Sequence, residues 1–417
     1  MDVLISGASI AGPALAYWLG RYGFRPTIVE IAPALRTGGN AVDFRGPLHL
    51  GVLGRMGVLD ALRAVQTGGT AMRFVDDAGA RLMEWPAGLA GGELEVLRGD
   101  LARILCEAGG DRTEYLFGDS VAAMRETAGG VDVTFASGLE RTFDLVIGAD
   151  GVHSAVRRLT FGPSDRFVKH LGYYVAGWEV PNEWALTRDP SNHPAHHPNQ
   201  TKVMLLHSAP GRTAGVGGDH QHPSRANAFF VFASPRLTYD RHDPAEQKAI
   251  LRDRFAGMGW LTPRLLAHLD TAPDLYFDQI CRVDNPSWTR GRVALVGDAA
   301  CGATIGGQGN GTAVVSAYVL AGELAAAGGD HRVAFPRYEQ RIGRFARGTQ
   351  KGGDTTGRFL APRTARGIRM RDTLNNQKWF LTLTFKIAAD RSTNLALPAY
   401  ESPAAPGSTP TSSQAGR

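Results

Sequence analysis

Val3-Leu4-Ile5-Ser6-Gly7-Ala8-Ser9-Ile10-Ala11-Gly12 opens the chain, and its reading governs everything downstream. An apolar, partly β-branched run stops at Gly7, as a buried parallel strand does. Gly7, Ser9 and Gly12 then stand in the three glycine places of G-x-G-x-x-G. Pro13 to Gly23 follows with Leu15, Trp18, Leu19 and Tyr22 at helical spacing. A second strand, Thr27-Ile28-Val29, ends in Glu30, twenty-three residues after Gly7. Strand, tight turn, helix, strand and terminal acid make a dinucleotide-binding unit.

Each part has a physical task. Gly7 permits the sharp turn, and Gly12 lets helix and strand pack closely. The backbone at Ser9 must approach a diphosphate whose charge rests on the helix N-terminus, beside Ile10 and Ala11. Serine in place of glycine implies a looser contact or one made through the hydroxyl. Glu30 would accept hydrogen bonds from a ribose diol. The competing reading is a glycine-containing turn with no ligand.

The composition bounds the rest. The 417 residues suggest two domains or more, and 43% hydrophobic with 20% charged residues is a globular balance. A formal charge of +5 without a basic run interleaved with aromatics argues against nucleic-acid binding, and a mildly positive surface suits an anionic nucleotide. Cys106, Cys281 and Cys301 show neither CxxC spacing nor a disulfide framework. With a strand starting at once and no long apolar run, these features predict a cytoplasmic protein without stable membrane association.

Along the chain, helical patterns run from Pro47 (Leu48, Leu50, Val52, Leu53, Met56) and from Arg98 (Leu101, Ile104, Leu105). Residues 71–85 read as a β-hairpin turning at Asp77-Ala78-Gly79. Residues 131–149 read as another, whose second strand Leu145-Val146-Ile147 is apolar enough to be central in a sheet and ends at Asp150-Gly151. From about 166 to 276, aromatics, prolines and strand-like runs (173–175, 203–206, 229–232) indicate an inserted, mostly antiparallel sheet. The nucleotide-binding pattern resumes at Arg292 to Ala300 and continues through Gly306-Gly307-Gln308-Gly309-Asn310-Gly311 into a helix. The expected fold is α/β with an α+β insertion. A Rossmann-like domain (1–70, 96–165, 277–331) is interrupted by a hairpin (71–95) and a substrate sheet (166–276). C-terminal helices (332–400), broken near Gly352-Gly353, and a disordered tail (401–417) follow.

Three separated motifs carry a resemblance: Gly7 to Gly12 with Glu30, Asp144 to Gly151, and Gly297-Asp298 with its glycine loop. Together they resemble the single-component FAD-dependent aromatic hydroxylases of the para-hydroxybenzoate hydroxylase type. Ala317 to Leu324 and Leu397-Pro398-Ala399-Tyr400 are similar to a narrower group, the tetracycline-inactivating and actinobacterial antibiotic-tailoring monooxygenases. The resemblance covers roughly residues 1–400 and implies bound FAD, with NAD(P)H as co-substrate. It implies Arg98 near the diphosphate, Asp298 on the ribityl hydroxyls and the amides of Gly309, Asn310 and Gly311 at the isoalloxazine. It also implies Arg45 beside the flavin and the nicotinamide path, Val121 at the adenine, and Asp150-Gly151 at both flavin and nicotinamide. For Arg98 and Arg45 the alternative is a surface cation, and for Asp150 a cap on the helix near Val152.

The implied activity is oxygenation of an aromatic or polyketide-like natural product through a flavin hydroperoxide, by a monomer or homodimer. A second reading is a non-redox enzyme that keeps FAD as scaffold while cyclising or isomerising its substrate; a third is simple sequestration of a drug-like ligand. The second is motivated by a departure. Cys301-Gly302-Ala303-Thr304-Ile305 lacks the histidine and prolines that the family places before the loop glycines, which predicts a more flexible loop. Ile31 also departs from the family's arginine. No metal site is expected: His193, His196 and His197 are interleaved with prolines, and His220 and His222 sit in a loop. Trp178, Trp184, Phe229, Phe230, Phe232 and Tyr276 are divided between pocket and core, with core favoured for most. Trp379 to Phe385 reads as a packed helix rather than a membrane-facing patch.

Overall fold

The computed structural model describes residues 1–35, 41–67, 70–86, 92–184, 203–218, 222–272, 275–306, 308–350, 353–377, 379–380 and 395–400. His193, His196, His197, His220, residues 381–385 and the tail from 401 lie outside the described residues.

The opening strand, Asp2–Ser6, is buried from Val3 onward and pairs in parallel with Leu145–Gly148 on one side and Arg25–Glu30 on the other. The full order in this sheet is Thr289–Arg290, Val293–Leu295, Leu145–Gly148, Asp2–Ser6, Arg25–Glu30, Glu114–Phe117. Successive connections leave the opening strand in opposite directions, so a crevice forms beyond the C-terminal ends of the central strands. The helix Ala11–Arg21 covers one face and packs on the long helix Gly309–Ala326 and on Arg98–Gly109.

Leu145–Gly148 is central, as its apolar run implies, but it is not the second strand of a hairpin. Val131–Phe135 turns back through Glu140–Phe143, whose register pairs Phe143 with Val131, and Asp144 alone separates that strand from the parallel one. Together with Val121–Glu126 the hairpin makes a small separate sheet.

The inserted sheet has the order Tyr276–Val283, Val168–Pro181, Arg225–Ala233, Arg212–Gly218, Val203–Ala209, Ala71–Val75, Arg81–Trp85. Its pairings are antiparallel except that of Val203–Ala209 with Ala71–Val75. The strand Tyr276–Val283 begins where the insertion was expected to end, so the sheet runs on to Val283. One face buries Trp178, Phe230 and Phe232 under the helices Pro244–Phe255 and Thr262–Ala267, the first of which contributes Leu251 and Phe255, with Trp184 packed against this core. The other face carries Phe74, Tyr173, Leu206, Val231 and Ile280, meets Leu360, and reaches Ile305 in the loop after Asp298. Phe229 is partly buried on this inner face, and Tyr276 is 42% exposed.

After the helices His331–Gln350, Gly353–Leu360 and Ala365–Asn375, the chain returns to the nucleotide-binding domain as residues 395–400. Here the two phrases shared with the narrower group meet. The Tyr400 ring fills the space where a Cβ on Gly322 would lie, at 2.1–2.4 Å. Its hydroxyl donates to buried Glu323 at 2.6 Å, which also pairs with Arg341. Tyr318 donates to the Pro398 carbonyl at 2.7 Å and accepts from Arg55 at 2.6 Å. The segment straps the helix Gly46–Met56 to Gly309–Ala326. Tyr400→Ala is therefore expected to destabilise the fold by about 2 kcal/mol and Tyr400→Phe by about 1, read by urea unfolding; an unchanged midpoint in the alanine variant would refute the strap.

Candidate functional site

The first turn is shaped by backbone crowding. Gly7 has φ +108°, and a Cβ there would lie 2.6 Å from the Ala149 carbonyl oxygen. A Cβ on Gly12 would lie 1.9 Å from the Gly7 carbonyl oxygen. The helix starts at Ala11, two residues before the expected Pro13, and Ile10 at its cap offers no side-chain acceptor to the first-turn amides. Those amides and the helix dipole favour an anion. The Arg98 guanidinium reaches this turn, its Nε donating to Ser9 Oγ at 3.1 Å.

Glu30 ends the second strand at the same edge. Its carboxylate accepts from the Ala8 amide at 2.8 Å and the Ala32 amide at 3.0 Å, and two oxygens retain capacity for a diol. Asp119 donates its amide to the Glu30 carbonyl at 3.1 Å, so the segment leading into buried Val121 runs alongside.

Asp150-Gly151 follows the central strand Leu145–Gly148. The Asp150 carboxylate accepts from Ser154 Oγ, from the Ala155 amide at 2.8 Å and from the Val156 amide at 3.1 Å. It therefore takes up the first two amides of the helix Ala155–Phe161, whose N-cap is Ser154, accepting from the Arg157 amide at 2.9 Å; the helix starts three residues beyond the expected Val152. Burial raises its pKa, and the accepted hydrogen bonds offset part of that rise. Gly151, with φ +73°, completes the turn. Beneath it lies Arg157, 0% exposed, donating to the carbonyls of Val152 and Ala299. His153, on the same turn, pairs with Asp278 of the inserted sheet at 3.0 Å.

A third segment closes the crevice. Gly297 (φ +60°) sits where a Cβ would approach Ala11 at 3.0 Å and Ala313 at 3.3 Å, so the starts of two helices converge on it. Asp298 follows, its pKa raised by burial and lowered in part by Arg98. A Cβ on Gly309 would lie 3.1 Å from Asp298 Oδ1, which puts the Gly309-Asn310-Gly311 turn beside it. Arg45, capping the helix Gly46–Met56, pairs through Nε with Asp43. His49, one turn on, is buried against Gly311.

The proline-free loop is not slack. The Thr304 amide donates to the Cys281 carbonyl at 3.1 Å, Thr304 Oγ1 accepts from the Cys281 amide at 3.1 Å, and the Val283 amide donates to the Gly302 carbonyl at 2.9 Å. Gln350 Nε2 adds bonds to the carbonyls of Val283 and Gly302. The loop is stitched to the strand Tyr276–Val283, so hydrogen bonds replace the constraint that prolines would give. Cys301 is a buried thiol whose pKa burial raises. Among the described residues no group of three or more metal-ligating side chains forms, and no helix is long and apolar enough to cross a membrane.

The structure thus brings together Gly7, Ser9, Ile10, Ala11, Gly12, Glu30 and Arg98 at one end of the crevice and Asp298, Gly309, Asn310 and Gly311 at the other. A family model described as an FAD binding domain matches residues 1–180. A flavin-dependent monooxygenase from Legionella longbeachae is 38% identical over 358 residues, covering 85% of this chain and 88% of its own. The chain belongs to the flavin-dependent monooxygenases. The crystal structure of the tetracycline destructase Tet(51) superposes with a TM-score of 0.81 at 32% identity, covering 96% of this chain and 99% of that one. Klebsiella pneumoniae HpxO, crystallised with FAD and uric acid, shares the fold at 22% identity and TM-score 0.71, covering 94% of this chain and 97% of its own.

The monooxygenase uses FAD, with NAD(P)H and O2 as the co-substrates typical of its family. The crevice fits that cofactor: the helix start at Ala11 and a guanidinium suit its diphosphate, the helix start at Gly309 suits its ring, two carboxylates suit its ribose and ribityl hydroxyls, and the glycines leave room for its backbone contacts. His49, Arg157, Thr304 and Gln350 escaped the sequence reading. All four act through contacts with residues far along the chain, and no local pattern marks them.

Two outcomes follow. Arg98→Ala and Asp298→Ala should each weaken FAD retention by roughly tenfold, read by fluorescence titration of the apoprotein; unchanged affinity in both would refute the site assignment. Burial, reinforced by Arg45 and opposed by Asp43, lowers the His49 pKa to about 4. Between pH 6.5 and 4 the unfolded chain binds a proton that the folded one refuses, so stability falls as pH falls. The loss at pH 5 should be about 2 kcal/mol by urea unfolding, and His49→Leu should lack that component.

Proposed function

We propose that this monooxygenase oxygenates a flat aromatic or polycyclic, polyketide-like natural product on the inner face of the inserted sheet. The observation that carries this is the register around Phe229, which pairs with Gly177 on one neighbouring strand and Gly215 on the other. Residues opposite each other share a face, so the ring stands with a glycine on each side. Such a platform offers apolar area to a planar molecule and a ring edge or face to stack on. The similarity to a tetracycline destructase supports a polycyclic substrate.

In this reading Ser9, Arg98 and the amides at Ile10, Ala11 and Gly12 hold the diphosphate, Glu30 the ribose, and Val121 the adenine. Gly7 and Gly151 keep the turns open enough for close approach. Asp298 accepts from the ribityl hydroxyls, while the amides of Gly309, Asn310 and Gly311 at a helix start stabilise negative charge at the ring. Arg45 flanks the ring on the nicotinamide side, and Asp150 fixes the adjoining turn. FAD held by these residues would supply the redox chemistry, with two electrons from NAD(P)H and O2 as oxidant, so that one oxygen atom enters the substrate and the other leaves as water. The inner face excludes water and holds the substrate near Ile305. Three unpaired cysteines support a cytoplasmic location, and the enzyme acts on its small molecule as a monomer or homodimer.

The test is NADPH oxidation by the purified holoenzyme with tetracycline and with an anthraquinone. At least one should accelerate oxidation about tenfold and gain one atom from labelled dioxygen, and Phe229→Ala should raise its KM. Turnover without reductant or air would replace this reading with the non-redox one, and binding without turnover with sequestration.

A further inference from the structure

The helix Gly46–Met56 is preceded by Arg45 at its cap, whose side chain makes no capping bond, and its second residue, Pro47, has no amide to donate. The Arg45 amide instead donates to His49 Nδ1 at 3.2 Å, from a ring only 1% exposed. An acceptor at Nδ1 places the proton of the neutral imidazole on Nε2. That Nε2 has no hydrogen-bond partner among the described residues. A buried donor left unpaired is costly, and such costs persist where the group serves a second purpose.

The same ring is wedged against the glycine turn at the start of the long helix. A Cβ on Gly311 would fall 2.2 Å from His49 Cε1, 2.3 Å from Nδ1 and 2.4 Å from Nε2. Gly311 is not among the positive-φ glycines, so its own backbone conformation does not demand glycine. The imidazole does. The rings of Phe44 and Phe345 meet it edge-on, each at 6.4 Å between centroids. The ring is therefore held by the strand before Arg45, by the glycine turn and by the C-terminal helix His331–Gln350.

We propose that His49 is a positioning residue for the flavin, tying the Arg45–Gly46 turn to the Gly309–Gly311 turn so that both meet the cofactor as one unit. The proposal rests on the assignment of those two turns to FAD. It explains why residue 311 is glycine by a side chain on another helix.

The experiment uses the full-length chain and FAD itself. His49→Leu keeps bulk and loses the acceptor, whereas His49→Asn places an oxygen where Nδ1 stands and leaves space near Gly311. The leucine variant should bind FAD roughly tenfold more weakly and shift the midpoint potential of the bound flavin, while the asparagine variant stays within about threefold of wild type. Gly311→Ala should weaken FAD binding roughly tenfold in the wild-type background and regain most of it when combined with His49→Asn. Two results would overturn the proposal. One is a leucine variant with wild-type affinity and potential; the other is Gly311→Ala equally impaired beside histidine and asparagine. Should the leucine variant fail to fold, the Gly311 pair decides alone. Wild-type protein that takes up no FAD would instead overturn the flavin assignment itself.

Discussion

The structure turns on three backbone segments that approach one another too closely for any side chain to intervene. The Gly7 carbonyl occupies the space of a Cβ at residue 12, and the Ala149 carbonyl occupies that of a Cβ at residue 7. This contact fixes the angle at which the helix Ala11–Arg21 leaves the sheet. It also sets the distance between the glycine turn and Asp150-Gly151. The amides of the first turn are then aimed outward past the strand ends, where a dinucleotide finds them pre-oriented. Binding there requires little rearrangement, because the sheet has already fixed the conformation.

What was legible in the sequence follows from this. Period, glycine spacing and the terminal acid belong to one local unit of thirty residues, and local units are what patterns record. The hairpin Ala71–Val75 with Arg81–Trp85 and the helix starting at Arg98 were legible for the same reason. The substitution at Ser9 was readable too: a hydroxyl stands where glycine was expected, and it is used, by Arg98. The second hairpin was misread because Glu140–Phe143 and Leu145–Gly148 are separated by one residue. The apolar run of the second strand masked the mixed pattern of the first. Periodicity cannot see a sheet boundary that falls between adjacent strands.

Buried charge was the least legible feature. Arg157 stands beside a second arginine, Arg158, and its guanidinium lies 0% exposed beneath the Asp150 turn. Its position is set by the carbonyls of Val152 and Ala299, which only the fold brings together. A guanidinium between two turns that both face the crevice holds their spacing without entering it. The Asp150 carboxylate also offsets part of the burial cost at Arg157. Neither sequence neighbour announces this.

The missing prolines of the flavin loop admit a physical account of the same kind. Proline restricts a loop by narrowing its unfolded states, whereas Thr304, Gly302 and Gln350 restrict it by bonds to the strand Tyr276–Val283. The two devices are not equivalent. Bonds to that strand couple the loop to the inserted sheet, since Ile280 pairs with Tyr173 and Val175 in turn with Val231, two residues from Phe229. Proline would rigidify the loop by itself; hydrogen bonds rigidify it relative to the inserted sheet. A displacement of the sheet would therefore move the loop after Asp298, so in the proposed reading cofactor and substrate would be spaced by one continuous ladder rather than by two independently stiff parts.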